Sequence, residues 1–317
     1  MPPAESPWPP RKPALPARFF RNLQGLATFL ACTVNTIVWF VPIFLLGLLK
    51  FVSPAGAVRA RLTRWIMGFG TAWVACNSFI FSLGNSTRWD VRGLEGLSRN
   101  QWYLVIANHR SWVDIIVLQT VLNRRIPFLK FFIKQELIWF PFLGVAWWAM
   151  DMPFMKRYSK SYLAKHPEEK GRDLEATRKA CAKFRDAPTA VINFVEGTRF
   201  TEEKRARRGS PYRNLLAPRA GGVALALSTM GSMFDAVLDV TIIYPQATPA
   251  FWDMMCGDFE AVIVDIRRRP VERWLYEGNY EADRDFRRRF HQWLAGLWEE
   301  KDGKIGDELA AIGAATS

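Results

Sequence analysis

The segment 108–114, with the sequence NHRSWVD, carries the residue types that this chain could use for acid–base chemistry. His109 is one of only three histidines in the chain, and Asp114 follows it five residues later. A histidine whose ring is held by a carboxylate is a common general base, because the carboxylate fixes the tautomer and stabilises the protonated ring. The pair therefore predicts proton transfer, with His109 as the base and Asp114 as its partner.

The two side chains can meet only if a helix begins between them. Five residues along a regular α-helix amount to about 500°, which leaves the side chains roughly 140° apart. Ser111 and Asp114 form a Ser-x-x-Asp start signal, in which Ser111 caps the helix and Asp114 lies in its first turn. His109 then precedes the helix and can fold back towards Asp114. A plainer interpretation is also open, in which Asp114 only caps the helix and His109 is a polar turn residue.

The composition restricts the partners of the chain. Its 317 residues suffice for one large or two modest domains, and they carry a formal net charge of +13 with 14 tryptophans and 23 phenylalanines. The charge predicts an anionic partner, and the aromatic residues favour a membrane interface over nucleic acid, for which there is no binding motif. The four cysteines form no C-x-x-C pair, so we expect neither a disulfide framework nor a structural metal site. A reducing, cytoplasm-facing catalytic domain follows.

The N-terminal part of the chain predicts a membrane segment. Residues 1–21 are rich in proline, alanine and basic residues and predict a flexible tail. Residues 22–49 contain no charge, and this stretch is longer than the ~20 residues that cross a bilayer. The uncharged stretch 65–87 is a weaker candidate, so we expect one or two membrane helices within residues 22–87. Basic residues flank the first stretch on both sides, which favours a hairpin or a shallowly embedded pair with both flanks in the cytoplasm.

From about residue 88 the chain alternates between strand-like and helical segments. This alternation predicts a catalytic α/β domain over residues 88–300, followed by a C-terminal tail over residues 301–317. Active-site residues then collect in the loops that leave the strand ends. The predicted strands are 102–107, 152–155, 189–195, 236–244 and 258–266, and the predicted helices are 112–123, 132–150, 168–186, 219–230 and 283–300.

A second candidate site follows the third predicted strand. Gly197 allows a sharp turn that exposes backbone amides, Thr198 adds a hydroxyl, and Arg199 supplies two parallel donors for a phosphate. In isolation these residues also fit an ordinary turn with a surface arginine. A basic loop over residues 204–213 comes next.

Between the two candidate sites lies an aromatic stretch over residues 139–154. It fits the wall of an apolar channel, although most aromatic stripes are simply core. Arg157 follows this stretch directly and is a further candidate phosphate ligand, with an ordinary exposed arginine as the alternative.

In this order, the segments resemble the glycerolipid acyltransferase family, which includes the 1-acylglycerol-3-phosphate acyltransferases. The first family block, NHxxxxD, matches residues 108–114 without departure, and the third block, EGTR, matches residues 196–199 in full. The second block, an apolar strand that ends in arginine, matches residues 154–157. The fourth block, an apolar strand with a central proline, is met only loosely by residues 240–245, so no residue role carries over there. The resemblance covers roughly residues 62–250.

The resemblance implies an α/β fold with a mixed sheet flanked by helices, preceded by an N-terminal membrane-embedded helical segment. It also implies a membrane-bound acyltransferase that moves a fatty acyl group from an acyl thioester to the free hydroxyl of a lysophospholipid. The first acceptor to expect is 1-acylglycerol-3-phosphate, which would give phosphatidic acid. His109 and Asp114 are the implied catalytic residues. The implied substrate-binding residues are Asn108, Arg157, Glu196, Gly197, Thr198 and Arg199.

The resemblance implies no metal and no bound cofactor, because the donor, acyl-CoA or an acylated acyl carrier protein, is a co-substrate. Another lysophospholipid, such as lysocardiolipin or one that carries a head group, is an open alternative as acceptor. A hydrolase is disfavoured because no G-x-S-x-G turn occurs, whereas a non-catalytic membrane scaffold leaves the order of the motifs unexplained. We expect a bacterial inner-membrane protein whose catalytic domain faces the cytoplasm, with membrane lipids rather than nucleic acid as partners.

Overall fold

The computed structural model describes residues 15–140, 142–155, 181, 184, 187–246 and 248–314. Its first two elements are the long helices α1 (Leu15–Val52) and α2 (Ala57–Gly84), which pack against each other as a hairpin. Both helices are long and apolar enough to cross a bilayer, and most large apolar side chains of α1 are exposed. The hairpin therefore presents an apolar surface that suits a lipid environment.

Polar residues inside this hairpin satisfy one another. The Asn35 side-chain amide donates to Asn77 Oδ1 over 2.9 Å and to the backbone oxygen of Trp73 over 3.2 Å. Helix α1 also starts earlier than the predicted tail allows, because residues 15–21 are already helical. Arg21 explains part of this extension, since its guanidinium pairs with the carboxylate of Asp258 at 2.5 Å.

The rest of the described chain folds as alternating strands and helices. The strands are β1 (Arg88–Arg92), β2 (Tyr103–Ala107), β3 (Leu129–Phe131), β4 (Ile133–Lys134), β5 (Phe154–Met155), β6 (Ala190–Phe194), β7 (Ala236–Ile243) and β8 (Ala261–Arg269). The helices are α3 (Val113–Leu122), α4 (Leu143–Ala149), α5 (Glu202–Arg208), α6 (Ala220–Met230), α7 (Phe251–Met255), α8 (Trp274–Glu277) and α9 (Arg284–Ala314). Short 3-10 turns occupy Gln135–Trp139 and Gly231–Met233.

Six strands form one sheet in the order β1-β8-β7-β2-β6-β3, and β4 pairs separately with β5. Within the large sheet only β7 and β8 run antiparallel, so the sheet is mixed. Helices α3 and α7 cover one face, and α6 and α9 cover the other. Side chains of β2 alternate between these two cores, as expected for a strand buried on both sides. The predicted fold class is confirmed.

One predicted helix is interrupted for a local reason. The helix predicted over residues 132–150 is broken into strand β4, a 3-10 turn and α4. The break occurs because Phe142 adopts a left-handed backbone with φ +60, and Gly144 approaches the backbone of Ile138 so closely that a Cβ would lie 2.1 Å from its oxygen.

Other elements differ in extent from the prediction. Strands β1 and β3 were not predicted, because both are short edge strands with little alternation of apolar residues. The strand expected over residues 152–155 shrinks to the two residues of β5. Most of the helix predicted over residues 168–186 lies outside the described residues.

The predicted tail over residues 301–317 is part of the fold as far as Ala314, because α9 continues through it. Lys301 explains the docking of this segment. Its ammonium group is buried and donates to the backbone oxygen of Val240 over 2.6 Å and to Asp239 Oδ1 over 2.6 Å. Without Lys301, the buried carboxylate of Asp239 would keep only the partly exposed Arg269 as a counter-ion among the described residues, which is costly.

We therefore expect Lys301→Ala to lower the free energy of unfolding by about 3 kcal/mol, because Asp239 then loses a buried cation. Arg288→Ala is the control, since Arg288 forms an exposed pair with Asp285 and its loss costs less than about 1 kcal/mol. Chemical denaturation followed by near-UV circular dichroism measures both values. Equal, small effects would show that the buried pair of Lys301 and Asp239 contributes little to stability.

Candidate active site

Three parallel strands deliver the candidate residues to one edge of the sheet. Strand β2 lies between β6 and β7 and is parallel to both, with Ala107 opposite Phe194 on one side and Val240 on the other. The segments that follow these three strands therefore emerge side by side. The two motifs and the loosely matched fourth block, far apart in sequence, share this edge.

His109 and Asp114 are in contact. His109 Nδ1 lies 2.8 Å from Asp114 Oδ2, and α3 begins between them at Val113. The same carboxylate oxygen accepts the backbone N–H groups of Arg110 over 2.6 Å and Ser111 over 2.9 Å. Asp114 thus orients the ring of His109 and also closes the turn before the helix. The carboxylate is both the partner of His109 and a residue that stabilises the helix start.

The start signal differs in one detail from the expectation. Trp112, rather than Ser111, immediately precedes the first helical residue, and its side chain makes no capping hydrogen bond. The hydroxyl of Ser111 instead accepts the backbone N–H of Val113 over 3.2 Å and donates to the backbone oxygen of Pro249 over 2.5 Å. Ser111 therefore stabilises the turn and ties it to the segment after β7.

Tyr244 holds the second oxygen of the Asp114 carboxylate. Its hydroxyl donates to Asp114 Oδ1 over 2.5 Å, and both side chains are buried. Burial is also the main reason why the pKa of Tyr244 lies well above its ordinary value, with the nearby Asp114 as a further cause. The phenol therefore stays protonated and remains a donor. No spacing in the sequence connects Tyr244 with Asp114, because strand order alone brings them together.

Phe194 fixes the plane of the His109 ring. The two rings stack with their centroids 4.1 Å apart and an interplanar angle of 18°. Since Nδ1 faces Asp114, the hydrogen-bond pattern assigns the Nδ1–H tautomer and leaves Nε2 as an acceptor. The side chain of His109 retains 13% exposure, which is enough for Nε2 to meet a substrate.

Asn108 and Glu196, both implied as substrate-binding residues, are buried, and their side chains bond to the backbone of neighbouring segments. The Asn108 side chain donates to the backbone oxygen of Ile242 over 2.9 Å and accepts its N–H over 2.8 Å. The Glu196 carboxylate accepts the N–H groups of His109 over 2.9 Å and Leu216 over 2.8 Å. Both side chains are buried, and these bonds use the amide nitrogen and oxygen of Asn108 and both carboxylate oxygens of Glu196. They position the backbone around His109.

The turn after β6 presents the remaining donors. Gly197 has φ +68, and a Cβ there would lie 2.9 Å from Cδ of Arg219, so both the conformation and the space require glycine. The hydroxyl of Thr198 lies 3.3 Å from Nζ of Lys204, and the guanidinium of Arg199 lies 5.0 Å above the Trp112 ring. These groups form a cationic cluster next to His109. Arg157 lies outside the described residues.

The predicted basic loop begins as a helix. Thr201 caps α5 by accepting the N–H of Lys204 over 3.2 Å, and Gly209 ends it in the left-handed conformation. Acidic residues occupy the first turn and basic residues the last, which complements the helix dipole. Lys204 thereby points back to the turn after β6, where it also donates to the backbone oxygen of Arg199 over 2.9 Å.

A cavity of about 550 Å³, here called the dyad cavity, opens beside these groups. Its polar end is formed by His109, Thr198 and Arg199, and the rest of its wall is mainly apolar and aromatic. The aromatic stretch contributes to this wall through Leu143, Trp147, Met150 and Met152. Among the described residues, no three His, Cys, Asp or Glu side chains cluster as a metal site would require. The arrangement can activate a hydroxyl next to a site for an anion and an apolar chain.

A sequence model of the acyltransferase family matches residues 88–246 of the chain, the region that contains every candidate residue described above. The chain belongs to the acyltransferase family. This result confirms the resemblance on which the expectations about the site depend.

Relatives and a solved structure agree with this assignment. The acyltransferase is 28% identical over 253 residues to the probable 1-acyl-sn-glycerol-3-phosphate acyltransferase 5 of Arabidopsis thaliana, covering 75% of this chain and 62% of the relative. It is 27% identical to the human 1-acyl-sn-glycerol-3-phosphate acyltransferase gamma, covering 63% of this chain and 51% of the relative. The chain thus spans between half and two thirds of the length of these relatives.

The fold of the acyltransferase is similar to that of the 1-acyl-sn-glycerophosphate acyltransferase PlsC from Thermotoga maritima. The TM-score is 0.52 at 18% identity, and the alignment covers 90% of this chain and 98% of that chain. The likeness includes most of the chain and supports the mixed sheet flanked by helices.

The buried carboxyl of Glu196 gives a testable pH dependence. Burial raises its pKa from 4.5 to about 7, although the N–H donors of His109 and Leu216 act in the opposite direction. Between these two values the folded protein holds a proton that the unfolded chain has lost, so the contribution of Glu196 to stability falls as the pH rises through this window and is constant above it.

We expect the free energy of unfolding of the wild type to fall relative to that of Glu196→Gln between pH 4.5 and 7, on the order of 1.4 kcal/mol for each pH unit. Glutamine does not titrate, which removes this slope. Denaturant titrations at a series of pH values measure the difference. Parallel curves for the two proteins would contradict a raised pKa at Glu196.

Proposed function

We propose that this acyltransferase moves a fatty acyl group from an acyl thioester to the free hydroxyl of a lysophospholipid, with 1-acylglycerol-3-phosphate as the preferred acceptor. The observation that carries the proposal is the position of the His109–Asp114 pair at the junction between a cationic turn and an apolar cavity. The reaction needs a site for the acceptor's phosphate, a base for its hydroxyl and an apolar space for an acyl chain, and these three adjoin here. The relatives described above are 1-acyl-sn-glycerol-3-phosphate acyltransferases, which supports this acceptor.

The mechanism follows from the hydrogen bonds of the pair. Nε2 of His109 accepts the proton of the acceptor hydroxyl while the hydroxyl oxygen attacks the thioester carbonyl carbon. The C–S bond then breaks, and the thiol leaves with the proton that His109 returns. Asp114 stabilises the imidazolium formed between these steps, and Tyr244 keeps the carboxylate in place. No covalent acyl-enzyme is needed because the hydroxyl itself is the nucleophile.

The turn after β6 would bind the phosphate of the acceptor. Thr198 and Arg199 line the dyad cavity next to His109, and Lys204 adds a second positive charge there. Gly197 keeps the backbone amides of this turn accessible. Arg157, which the family resemblance implies as a ligand, remains part of this proposal on the basis of its motif alone.

We further propose that residues 22–87 hold the enzyme in a membrane and that the catalytic domain over residues 88–300 faces the cytoplasm of a bacterium. The two apolar helices and the basic residues that flank the first of them support this orientation. Either acyl-CoA or an acylated acyl carrier protein would serve as donor, since the cationic surface suits both. No metal or bound cofactor enters the proposed reaction.

The decisive experiment uses the purified protein in lipid, a long-chain acyl-CoA and a panel of lysophospholipids that includes lysophosphatidic acid and lysocardiolipin. We expect thiol release and diacyl product with lysophosphatidic acid, and the loss of both in His109→Ala. A faster reaction with another acceptor would replace the proposed one. Silence with every acceptor, also with an acylated acyl carrier protein, would favour the non-catalytic membrane scaffold.

Asp114→Asn tests the role of the carboxylate within the pair. Asparagine has a similar shape, but it is neutral and cannot accept all the donors around it, so His109 loses its fixed tautomer. We expect kcat to fall on the order of a thousandfold or more.

Asp285→Asn is the control, because this exposed carboxylate pairs only with Arg288 among the described residues and should leave kcat unchanged. Turnover of Asp114→Asn within about tenfold of the wild type, with the fold intact by circular dichroism, would show that His109 acts without the aspartate.

A further inference from the structure

A second cavity lies between the helical hairpin and the catalytic domain. It has a volume of about 640 Å³, is walled by α1, α2, α3 and α7, and is here called the hairpin cavity. Polar atoms in its wall bond to one another: Ser78 to Thr120 over 2.9 Å, and Trp73 to Thr36 over 3.2 Å. The surface that remains is almost wholly apolar, which suits a hydrocarbon chain and not a polar ligand.

The hairpin cavity adjoins the dyad cavity. Six residues line both spaces, namely Thr36, Trp73, Trp112, Ile115, Gln119 and Leu143. One side of this shared wall therefore faces the dyad cavity, which contains His109, and the other side faces the hairpin cavity. Because the two spaces are adjacent, a molecule that reacts at His109 needs to pass only this layer of side chains to place an apolar chain in the hairpin cavity.

The proposed reaction brings two hydrocarbon chains to one histidine, one on the donor and one already on the acceptor. The dyad cavity offers an apolar space next to His109, and the hairpin cavity offers another of similar volume. Trp112 connects the hairpin cavity with the phosphate site, because its ring lies in the shared wall and beneath the guanidinium of Arg199. A molecule whose phosphate is at Arg199 therefore has the hairpin cavity within short reach.

The walls of the hairpin cavity also indicate where its occupant comes from. Helices α1 and α2 form one side, and these helices expose apolar side chains to the surroundings. A lipid that leaves the bilayer meets this side first. At the shared wall, the side-chain amide of Gln119 makes no hydrogen bond within the described part of the chain, so it is available to the ester carbonyl of a lipid.

We propose that the hairpin cavity binds the acyl chain already present on the acceptor lysolipid, while the dyad cavity binds the acyl chain of the donor. This inference rests on the proposed function and adds to it a separate binding site for each chain. The specificity for each chain is then set by different residues.

Two matched substitutions test the assignment. Ile116 lines only the hairpin cavity and Leu137 only the dyad cavity, and tryptophan at either position fills part of the respective space. Rates are measured for long-chain and short-chain acceptors, each with long-chain and short-chain acyl-CoA. We expect Ile116→Trp to lower kcat/KM for the long-chain acceptor about tenfold relative to the short-chain one, with the donor preference unchanged. Leu137→Trp should change the donor preference instead.

The opposite pattern, or unchanged preferences in Ile116→Trp, would overturn the assignment while leaving the acyltransferase reaction in place.

A binding measurement covers the case in which a variant does not fold or no turnover is seen. Cys32 lines the hairpin cavity in the wild type, whereas Cys76 does not. Alkylation of each thiol by an apolar maleimide is followed by peptide mass spectrometry.

We expect long-chain lysophosphatidic acid to protect Cys32 and not Cys76, and a non-hydrolysable acyl-CoA analogue to protect neither. Protection of Cys32 by the donor analogue, or no protection by the lysolipid, would contradict the proposal. The protection measurement needs no catalysis, so it tests the chain-binding assignment alone. A failure of the proposed function would instead appear as missing turnover in the wild type.

Discussion

The site depends on the parallel register of three adjacent strands. Strand β2 is fully buried between β6 and β7, and its last residue, Ala107, lies opposite the last residue of β6 and the middle of β7. Because the side chains of β2 alternate between two cores, a slip by one residue would exchange its faces. The register is therefore fixed by the different side chains that the two cores accommodate, Tyr103, Val105 and Ala107 in one and Leu104 and Ile106 in the other. The position of His109 relative to the turn after β6 is a consequence of that packing.

Side-chain bonds extend this register beyond the ends of the strands. Asn108 pairs with the backbone of Ile242 as a further strand residue would, and Glu196 joins the backbone of His109 to that of Leu216. The backbone N–H of Phe200 also donates to the oxygen of His109 over 2.7 Å. Asn108 and Glu196 each lie in a motif, where a polar side chain is easily interpreted as a substrate ligand. Their partners show that two of the most distinctive side chains, Asn108 and Glu196, hold the loops instead.

Local signals explain what the sequence could predict. His109 and Asp114 are close in the chain, and a helix start between them is visible as Ser-x-x-Asp, so their contact needs no knowledge of the fold. Helix α5 was equally visible, since Thr201 precedes two glutamates and Gly209 follows the arginines. The density of basic residues in that segment favours a loop, but the two capping residues decide for a helix.

Long-range contacts explain what could not be predicted. Tyr244 reaches Asp114 only because β7 neighbours β2, and neither strand order nor register can be read from one sequence. Lys301 is charged and lies in a weakly apolar stretch, so its sequence context predicts an exposed side chain. In the structure it is buried beside Asp239. The roles of Asn108 and Glu196 have the same origin, because their partners lie on other segments. Motifs thus identify which segments form the site, whereas packing decides which side chains face the substrate.

The hairpin is part of the walls around the site. Arg21 pairs with Asp258, and Lys50 pairs with Asp151 next to α4, so both ends of α1 are attached to the globular part. Thr36 and Trp73, from the middle of the two helices, line the dyad cavity itself. A shift of the hairpin would therefore change the shape of that cavity. The two apolar helices and the α/β part of the chain thus form one structural unit, in which the helices limit the space beside His109.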